Sequence, residues 1–222
     1  MKMIKKVLTM LLPWSLRRAA LNNWFGYSIH PTAKIGMAWI FPDQLVMAAG
    51  SKIAHFTVAV HLDKIEMREK SSIGRSNWIT GFSSKQTSKH FSHQPERTSV
   101  LILGRHSAIT KDHHIDCTNL IQIGDFVTVA GYQTQLLTHS INVYENRQDS
   151  EPILISDYTF IGTNCVILGG AVLPAHSLLA AKSMLSKAYT EEWKVYGGVP
   201  AKPISDLPRD AKYFTREVGF VY

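Results

Sequence analysis

Residues 155–185 read ISDYTF IGTNCV ILGGAV LPAHSL LAAKSM L, and an aliphatic residue opens every hexad: Ile155, Ile161, Ile167, Leu173, Leu179 and Leu185. A period of six fits neither a helix nor a hairpin sheet; it is the signature of a solenoid of short parallel strands. A second series shares the register. Thr159, Cys165, Ala171, Ser177 and Ser183, all small, stand two residues before an aliphatic. Residues two apart on a strand point to the same face, so a large and a small side chain both point inward. The residue after the aliphatic is often small, as in Ile161-Gly162, and the conformational freedom of glycine there suits a tight corner between strands.

The period extends outward from this stretch. It begins near Ile29 and Ile35-Gly36, is blurred from Phe41 to Val60 around Ile53-Ala54, and returns at Met67, Ile73-Gly74 and Ile79. The segment Ser83–Ser99 has no aliphatic residue and reads as a loop expelled from the solenoid; long loops in compact domains are commonly functional. The repeat resumes at Leu103-Gly104, Ile109, Ile115 and Ile121, shifts by two at Ile123-Gly124 and Val129, and breaks at Leu137-Thr138-His139-Ser140. A second polar excursion, Asn142–Glu151, precedes the clean run. Three hexads make one triangular coil of roughly 18 residues, which gives about seven to nine coils less the loops. Trp193–Tyr196 reads as a last strand, Gly197–Pro200 as a turn, and Pro208–Glu217 as a short helix. The expected organisation is a basic amphipathic helical segment over 1–26, a β-solenoid domain over 27–187 with loops near 83–99 and 139–151, and a strand/helix tail over 188–222.

The chain has 222 residues, 45% of them hydrophobic, enough for one sizeable core. Its two cysteines, Cys117 and Cys165, suggest neither a disulfide framework nor a metal site. The formal charge of +7 is concentrated at the start: Lys2, Lys5, Lys6, Arg17, Arg18 and Lys34 all precede the first acid, Asp43. Charge so confined argues against a nucleic-acid-binding body. The first 25 residues lack a cleavage site of the secretory type and are too short in apolar run to span a bilayer. They read as one or two helices, basic on one side, with Trp14, Trp24 and Phe25 on the other. Two roles suit them: a cap on the solenoid, or a peripheral contact with a membrane through residues 1–25.

The hexads, the loop bearing His139, Phe160-Ile161-Gly162 after it, and the ending Gly198-Val199-Pro200-Ala201-Lys202-Pro203-Ile204 resemble the hexapeptide-repeat acyltransferases. Within them the chain is similar to the branch of maltose, galactoside and nodulation acetyltransferases and the polysaccharide O-acetyltransferases, over residues 27–204. The resemblance implies an all-β left-handed parallel β-helix, a homotrimer with sites in the grooves between protomers, and acetyl coenzyme A as cosubstrate with no metal. It implies a cytoplasmic acetyltransferase, free or at the inner face of the membrane, that modifies a carbohydrate hydroxyl in cell-surface polysaccharide or lipopolysaccharide assembly. N-acylation of an amino sugar and a non-catalytic assembly role are the alternatives. A zinc hydratase on the same solenoid needs two histidines five apart, and no pair of histidines here has that spacing.

Acyl transfer from a thioester lacks only a competent nucleophile at neutral pH, and a neutral imidazole supplies the base. His139 matches the family's catalytic histidine, with Ser140 where proline is common. In His113-His114-Ile115-Asp116-Cys117, one coil earlier, His113 falls on an inward position and His114 faces outward. Asp116-Cys117 resembles an Asn-Cys pair of the sugar acetyltransferases, and Asp116 is suited to orient His139 or to bind the acceptor hydroxyl. His114 is the second candidate for the base. An oxyanion donor is expected from backbone N–H groups near Gly131 or Thr163. By resemblance, Thr163, Ala181, Ser186, Lys187 and Lys202 bind coenzyme A, the lysines as phosphate partners. His90 and His93, in the first loop, have no acid at a telling spacing and read as surface residues. Trp78, near that loop, is a candidate platform for an acceptor ring.

Overall fold

The computed structural model describes residues 2–86 and 88–221. Residues 1, 87 and 222, which belong to the expected N-terminal segment, first loop and tail, lie outside the described residues. The hexads fold into a three-sided parallel coil. The first face has seven strands: Ser28–Ile29, Gln44–Met47, Lys64–Met67, Val100–Leu103, Ile121–Ile123, Ile153–Ile155 and Val172–Leu173. The third face also has seven, from Trp39–Phe41 to Met184–Leu185. The second face runs from Lys34–Ile35 to Leu178–Leu179 and is extended by a terminal hairpin, Lys194–Gly198 with Ala201–Asp206.

Register stacks like on like. On the second face Ile35 pairs with Ile53, Ile53 with Ile73, Ile73 with Ile109 and Ile109 with Val129. These side chains and their counterparts on the other faces form one continuous buried core. The small inward positions, among them Ser51, Thr57, Ser107, Thr134, Thr159 and Ser177, are buried with it. The stretch that reads as blurred, Phe41–Val60, is a regular coil. Its inward sites at the six-residue spacing are Met47, Ile53 and Ala59, and the small Ala59 in place of a large aliphatic hides the period without breaking it.

The glycines that directly follow an inward aliphatic work by space, not by torsion. Gly74 has an ordinary φ, but a Cβ placed there would lie 2.0 Å from the carbonyl oxygen of Thr110 in the next coil. The left-handed torsions fall instead on side-chain-bearing residues such as Ser76, Asp112, Gln133, Asn164 and Lys182. Such torsions cost energy. Each of these residues offsets it by donating its N–H to a carbonyl of the coil below, as in Gln133 to Asp112 and Asn164 to Tyr132. At another corner the same device stacks rings into a column: His106, Phe126, Tyr158, His176 and Trp193, with successive centroids 4.5–5.5 Å apart.

Both termini pack on the solenoid. α1 (Lys2–Leu11) and α2 (Trp14–Phe25) are separated at Pro13, whose missing N–H and ring stop the first helix. α2 closes at Gly26 in the left-handed conformation, which donates to the Asn22 carbonyl. The expected division into a basic and an aromatic side does not hold. Arg17 is buried and donates to the carbonyls of Gly36 and Ala38, capping the first coil. Trp14 and Phe25 pack against the core while Trp24 stays exposed. At the other end, the helix expected over 208–217 is only a 3-10 turn, Lys212–Thr215. Its Phe214 packs on Trp193 and His176.

The loop at 83–99 is not expelled. Phe91 and Arg97 are buried, because the Arg97 guanidinium reaches the carbonyls of Phe82 and Thr118 at 2.5 Å and lies 4.7 Å over the Phe91 ring. The second excursion, expected as a loop near 139–151, is an antiparallel hairpin of His139–Asn142 with Arg147–Ser150. Both excursions leave the same edge, between the third face and the first.

Candidate active site

That edge gathers the chemistry. The strand His114–Asp116 lies parallel beside Gln135–Leu137, with Asp116 opposite Leu137. The chain then passes Thr138 and enters the hairpin at His139. Stacking therefore carries a residue of one coil to its neighbour in the next, and His139 Nδ1 sits 2.6 Å from Asp116 Oδ2. The His139 side chain is 40% exposed and that of Asp116 only 7%.

The remaining contacts of Asp116 hold it still. Its Oδ1 accepts the N–H and hydroxyl of Thr118 at 3.2 and 2.7 Å. The Thr138 hydroxyl donates to the Asp116 backbone carbonyl at 2.8 Å. Burial pushes the Asp116 carboxyl up, but the hydrogen bonds from His139 and Thr118 outweigh it and hold the group below the ordinary carboxylate value of 3.8. The same hydrogen bond raises His139 above 6.5, against partial burial and the nearby Arg97 cation. An ionised Asp116 fixes the tautomer: Nδ1 carries the proton, and Nε2 offers the lone pair.

His139 opens on a cleft of about 290 Å³ lined also by Leu137, Ser140, Glu151, Leu168, Gly169 and Ser186. The first loop packs against His139 and the hairpin. The Phe91 ring stands edge-on to the His139 imidazole, centroids 6.1 Å apart. Gln94 clamps the hairpin by donating to the Ser150 carbonyl at 2.9 Å and accepting from the Ser150 N–H and hydroxyl at 3.2 and 2.8 Å. His93 is not a solitary surface residue: its Nε2 lies 2.5 Å from Asp149. Asp63 ties the two ends of the loop, accepting the Ser83 hydroxyl and the N–H groups of Ser84 and Ser99. Burial raises its carboxyl, and those hydrogen bonds more than reverse the effect. Nothing in the hexad pattern singles out Asp63, Phe91, Gln94 or Ser150.

The other sequence candidates are distributed. Ser186 shares the cleft with His139. Thr163 and Ala181 do not. They stack at the corner between the second and third faces, where the Thr163 hydroxyl donates to the Tyr132 carbonyl at 3.0 Å and accepts the Tyr132 N–H at 3.1 Å. Gly131 lies against Thr163, and Gly162 against Ala181, each too close to admit a Cβ. The backbone near Gly131 and Thr163 is thus at a different corner from His139. Lys187 and Lys202 are exposed, Lys202 on the last strand opposite Gly197. His114 points outward into a separate shallow groove with Trp78, Gln133 and Gln135. His113 is buried, accepts the Thr134 N–H, and is pushed down to about 4 chiefly by burial, so it stays neutral.

No family model matches this sequence, and no curated protein sequence matches it. Solved structures do. A hexapeptide-repeat-containing acetyltransferase from Vibrio cholerae O1 biovar eltor, complexed with acetyl coenzyme A, has a TM-score of 0.53 at 21% identity, covering 92% of this chain and 84% of that one. The polysialic acid O-acetyltransferase OatWY has a TM-score of 0.62 at 14% identity, over 81% and 84%. AntD, an N-acyltransferase from Bacillus cereus in complex with dTDP-4-amino-4,6-dideoxyglucose and coenzyme A, has 0.51 at 13%, over 86% and 90%. With its parallel faces and two N-terminal helices, the chain has the left-handed parallel β-helix fold of the hexapeptide-repeat acetyltransferases.

Proposed function

We propose that this chain is an acetyl coenzyme A-dependent O-acetyltransferase that modifies a sugar hydroxyl during assembly of a cell-surface polysaccharide or lipopolysaccharide, on the cytoplasmic side where acetyl coenzyme A is held. One observation carries this reading: an imidazole half-open to a cleft, with a buried carboxylate 2.6 Å behind it. Acetyl coenzyme A supplies the activated acyl thioester. His139 Nε2 takes the proton of the acceptor hydroxyl as its oxygen bonds to the acyl carbon. Asp116 stabilises the imidazolium so formed. When the carbon–sulfur bond breaks, the same proton passes to the departing thiolate, which returns His139 to its neutral form.

The separation of Thr163 and Ala181 from the His139 cleft suits a homotrimer. In that arrangement the Thr163–Ala181 corner of one protomer borders the cleft of its neighbour, and pantetheine lies between them. Ser186 flanks the thioester, and Lys187 and Lys202 meet the phosphates as point charges. The acceptor class follows the polysialic acid O-acetyltransferase likeness. N-acylation of an amino sugar is the second reading, favoured by the likeness to AntD, and it uses the same base.

The test is coenzyme A release from acetyl coenzyme A across sugar nucleotides and lipid-linked glycans. The product should carry one acetyl group that mild alkali removes, as an ester does; an alkali-stable product indicates the amide. Full transfer activity in His139→Ala rules out the assigned base.

A further inference from the structure

α1 is amphipathic the wrong way round for a helix that only caps a solenoid. Met3, Ile4, Val7, Leu8 and Leu11 are all exposed, Leu11 to 77%. At about 100° per residue these five fall on one arc of roughly 140°. The opposite arc faces the protein. It carries Thr9, fully buried, with its hydroxyl donating to the Lys6 carbonyl, and Lys6, whose ammonium lies 5.0 Å from the Phe41 ring centroid. A helix whose polar arc is packed and whose apolar arc meets water presents an interaction surface. Leu16 and Trp24, both exposed on α2, add to the apolar character of this end of the molecule.

We infer that this face of α1 lies in the interface of an anionic lipid bilayer, parallel to its plane. Charge selects this occupant. No acid precedes Asp43, and five lysines and arginines do besides the buried Arg17. Lys5 is half-buried at the flank of the apolar arc, where its ammonium group reaches a layer of phosphates as the leucines enter the acyl region. Asp43, which shares the adjoining cleft with Lys5, Lys6 and Trp24, is already paired with Lys85 at 3.4 Å. A second copy of the chain would bring one cationic segment against another. Ten residues of helix span about 15 Å, half a bilayer core, so the helix lies on the membrane and does not cross it. The inference is independent of the acyl-transfer reading. It would bring the cleft to a lipid-carried substrate if both hold.

Flotation of the full chain with vesicles of phosphatidylcholine, with and without phosphatidylglycerol, tests this. The chain should float with the anionic vesicles and not with the neutral ones, and salt of about 0.5 M should weaken the binding. Ile4→Ser/Leu8→Ser/Leu11→Ser replaces exposed side chains only, so its circular dichroism should match the parent. Its vesicle binding should fall by about tenfold or more. A Leu8→Cys variant gives a local readout, because Cys117 and Cys165 are both buried. An environment-sensitive fluorophore on that thiol should shift to the blue on anionic vesicles. The inference is overturned if the parent does not bind anionic vesicles, or if the triple variant binds equally well. It is also overturned if the variant instead dissolves an oligomer that never binds lipid, which would make this face a contact between copies.

Discussion

Asp116 and His139, 23 residues apart in the chain, meet at 2.6 Å because parallel stacking sets the end of one third-face strand beside the next. The contact leaves the carboxylate buried and the imidazole half-open. Replacing Asp116 by Asn removes the charge that selects the Nδ1–H tautomer while keeping the shape. On the proposed mechanism, Asp116→Asn should lower kcat by about 10²-fold or more, with KM for acetyl coenzyme A changed far less. Steady-state kinetics decide it. An unaltered kcat removes Asp116 from the mechanism.

The pH profile should carry the same signature. The hydrogen bond to Asp116 raises His139 above 6.5. The base works only when neutral, so kcat/KM should climb with pH through a limb whose midpoint lies above 6.5. Asp116→Asn should move that limb to lower pH. Stability runs the other way. A group whose folded value is raised adds stability that is full below its unfolded value and is lost as pH rises through the folded value. The His139 contribution should therefore fade above pH 6.5 in thermal melts, and the fading should be absent in His139→Gln. A rate limb that ignores the Asp116 substitution argues against His139 as the base.

The loop clasp makes a separate prediction. Gln94 uses both ends of its amide on Ser150, and the loop it anchors holds Phe91 edge-on to His139. Gln94→Ala should leave the core intact, since Gln94 lies outside the coil. It should raise the acceptor KM several-fold while the KM for acetyl coenzyme A stays near the parent value. Equal loss for both substrates would show that the clasp supports the fold as a whole rather than the acceptor side of the cleft.

Asp63 governs whether the loop stays closed at its base. Its carboxylate accepts from Ser83, Ser84 and Ser99, at both ends of the loop. Asp63→Ala strands the buried Ser99 N–H and should cost about 1–3 kcal/mol. The opened loop exposes Lys85 and Lys89 on a freer backbone. Limited trypsin digestion should cut there faster than in the parent, before the coils are attacked. Cleavage rates equal to the parent's mean that Arg97, Gln94 and His93 hold the loop without Asp63.

The hexads made the solenoid legible because each coil repeats the same demand: one aliphatic and one small inward residue on every face. The Asp116–His139 meeting was legible for the same reason, since a count of coils places one segment below the other. The supports of His139 and the hairpin were not. Gln94, His93 and Phe91 lie in a stretch without period, and their partners Ser150 and Asp149 lie on a hairpin that interrupts the period. Their pairing depends on how two excursions fold over one edge. The corner glycines were misread for a related reason. A sequence shows that a residue lacks a side chain; it does not show that the next coil's carbonyl occupies the space, as Thr110 does above Gly74. Arg17 appeared as surface charge because the carbonyls it caps, Gly36 and Ala38, belong to a coil end that local pattern does not reveal.

Gly131 joins the fold to the proposed cofactor corner, and its substitution separates two effects. Its φ is +69°, a conformation that a side chain makes costly, and a Cβ there would lie 2.4 Å from the Cβ and hydroxyl of Thr163. Gly131→Ala should therefore cost about 1–3 kcal/mol and push Thr163 outward. Gly74→Ala is the control. Its Cβ would meet the Thr110 carbonyl, a backbone atom that cannot swing aside, so it should destabilise at least as much while leaving Thr163 in place. If Thr163 borders the pantetheine, Gly131→Ala should raise the KM for acetyl coenzyme A well beyond Gly74→Ala, measured at a temperature where both are folded. Equal KM values in the two variants would place the cofactor elsewhere than the Thr163–Ala181 corner.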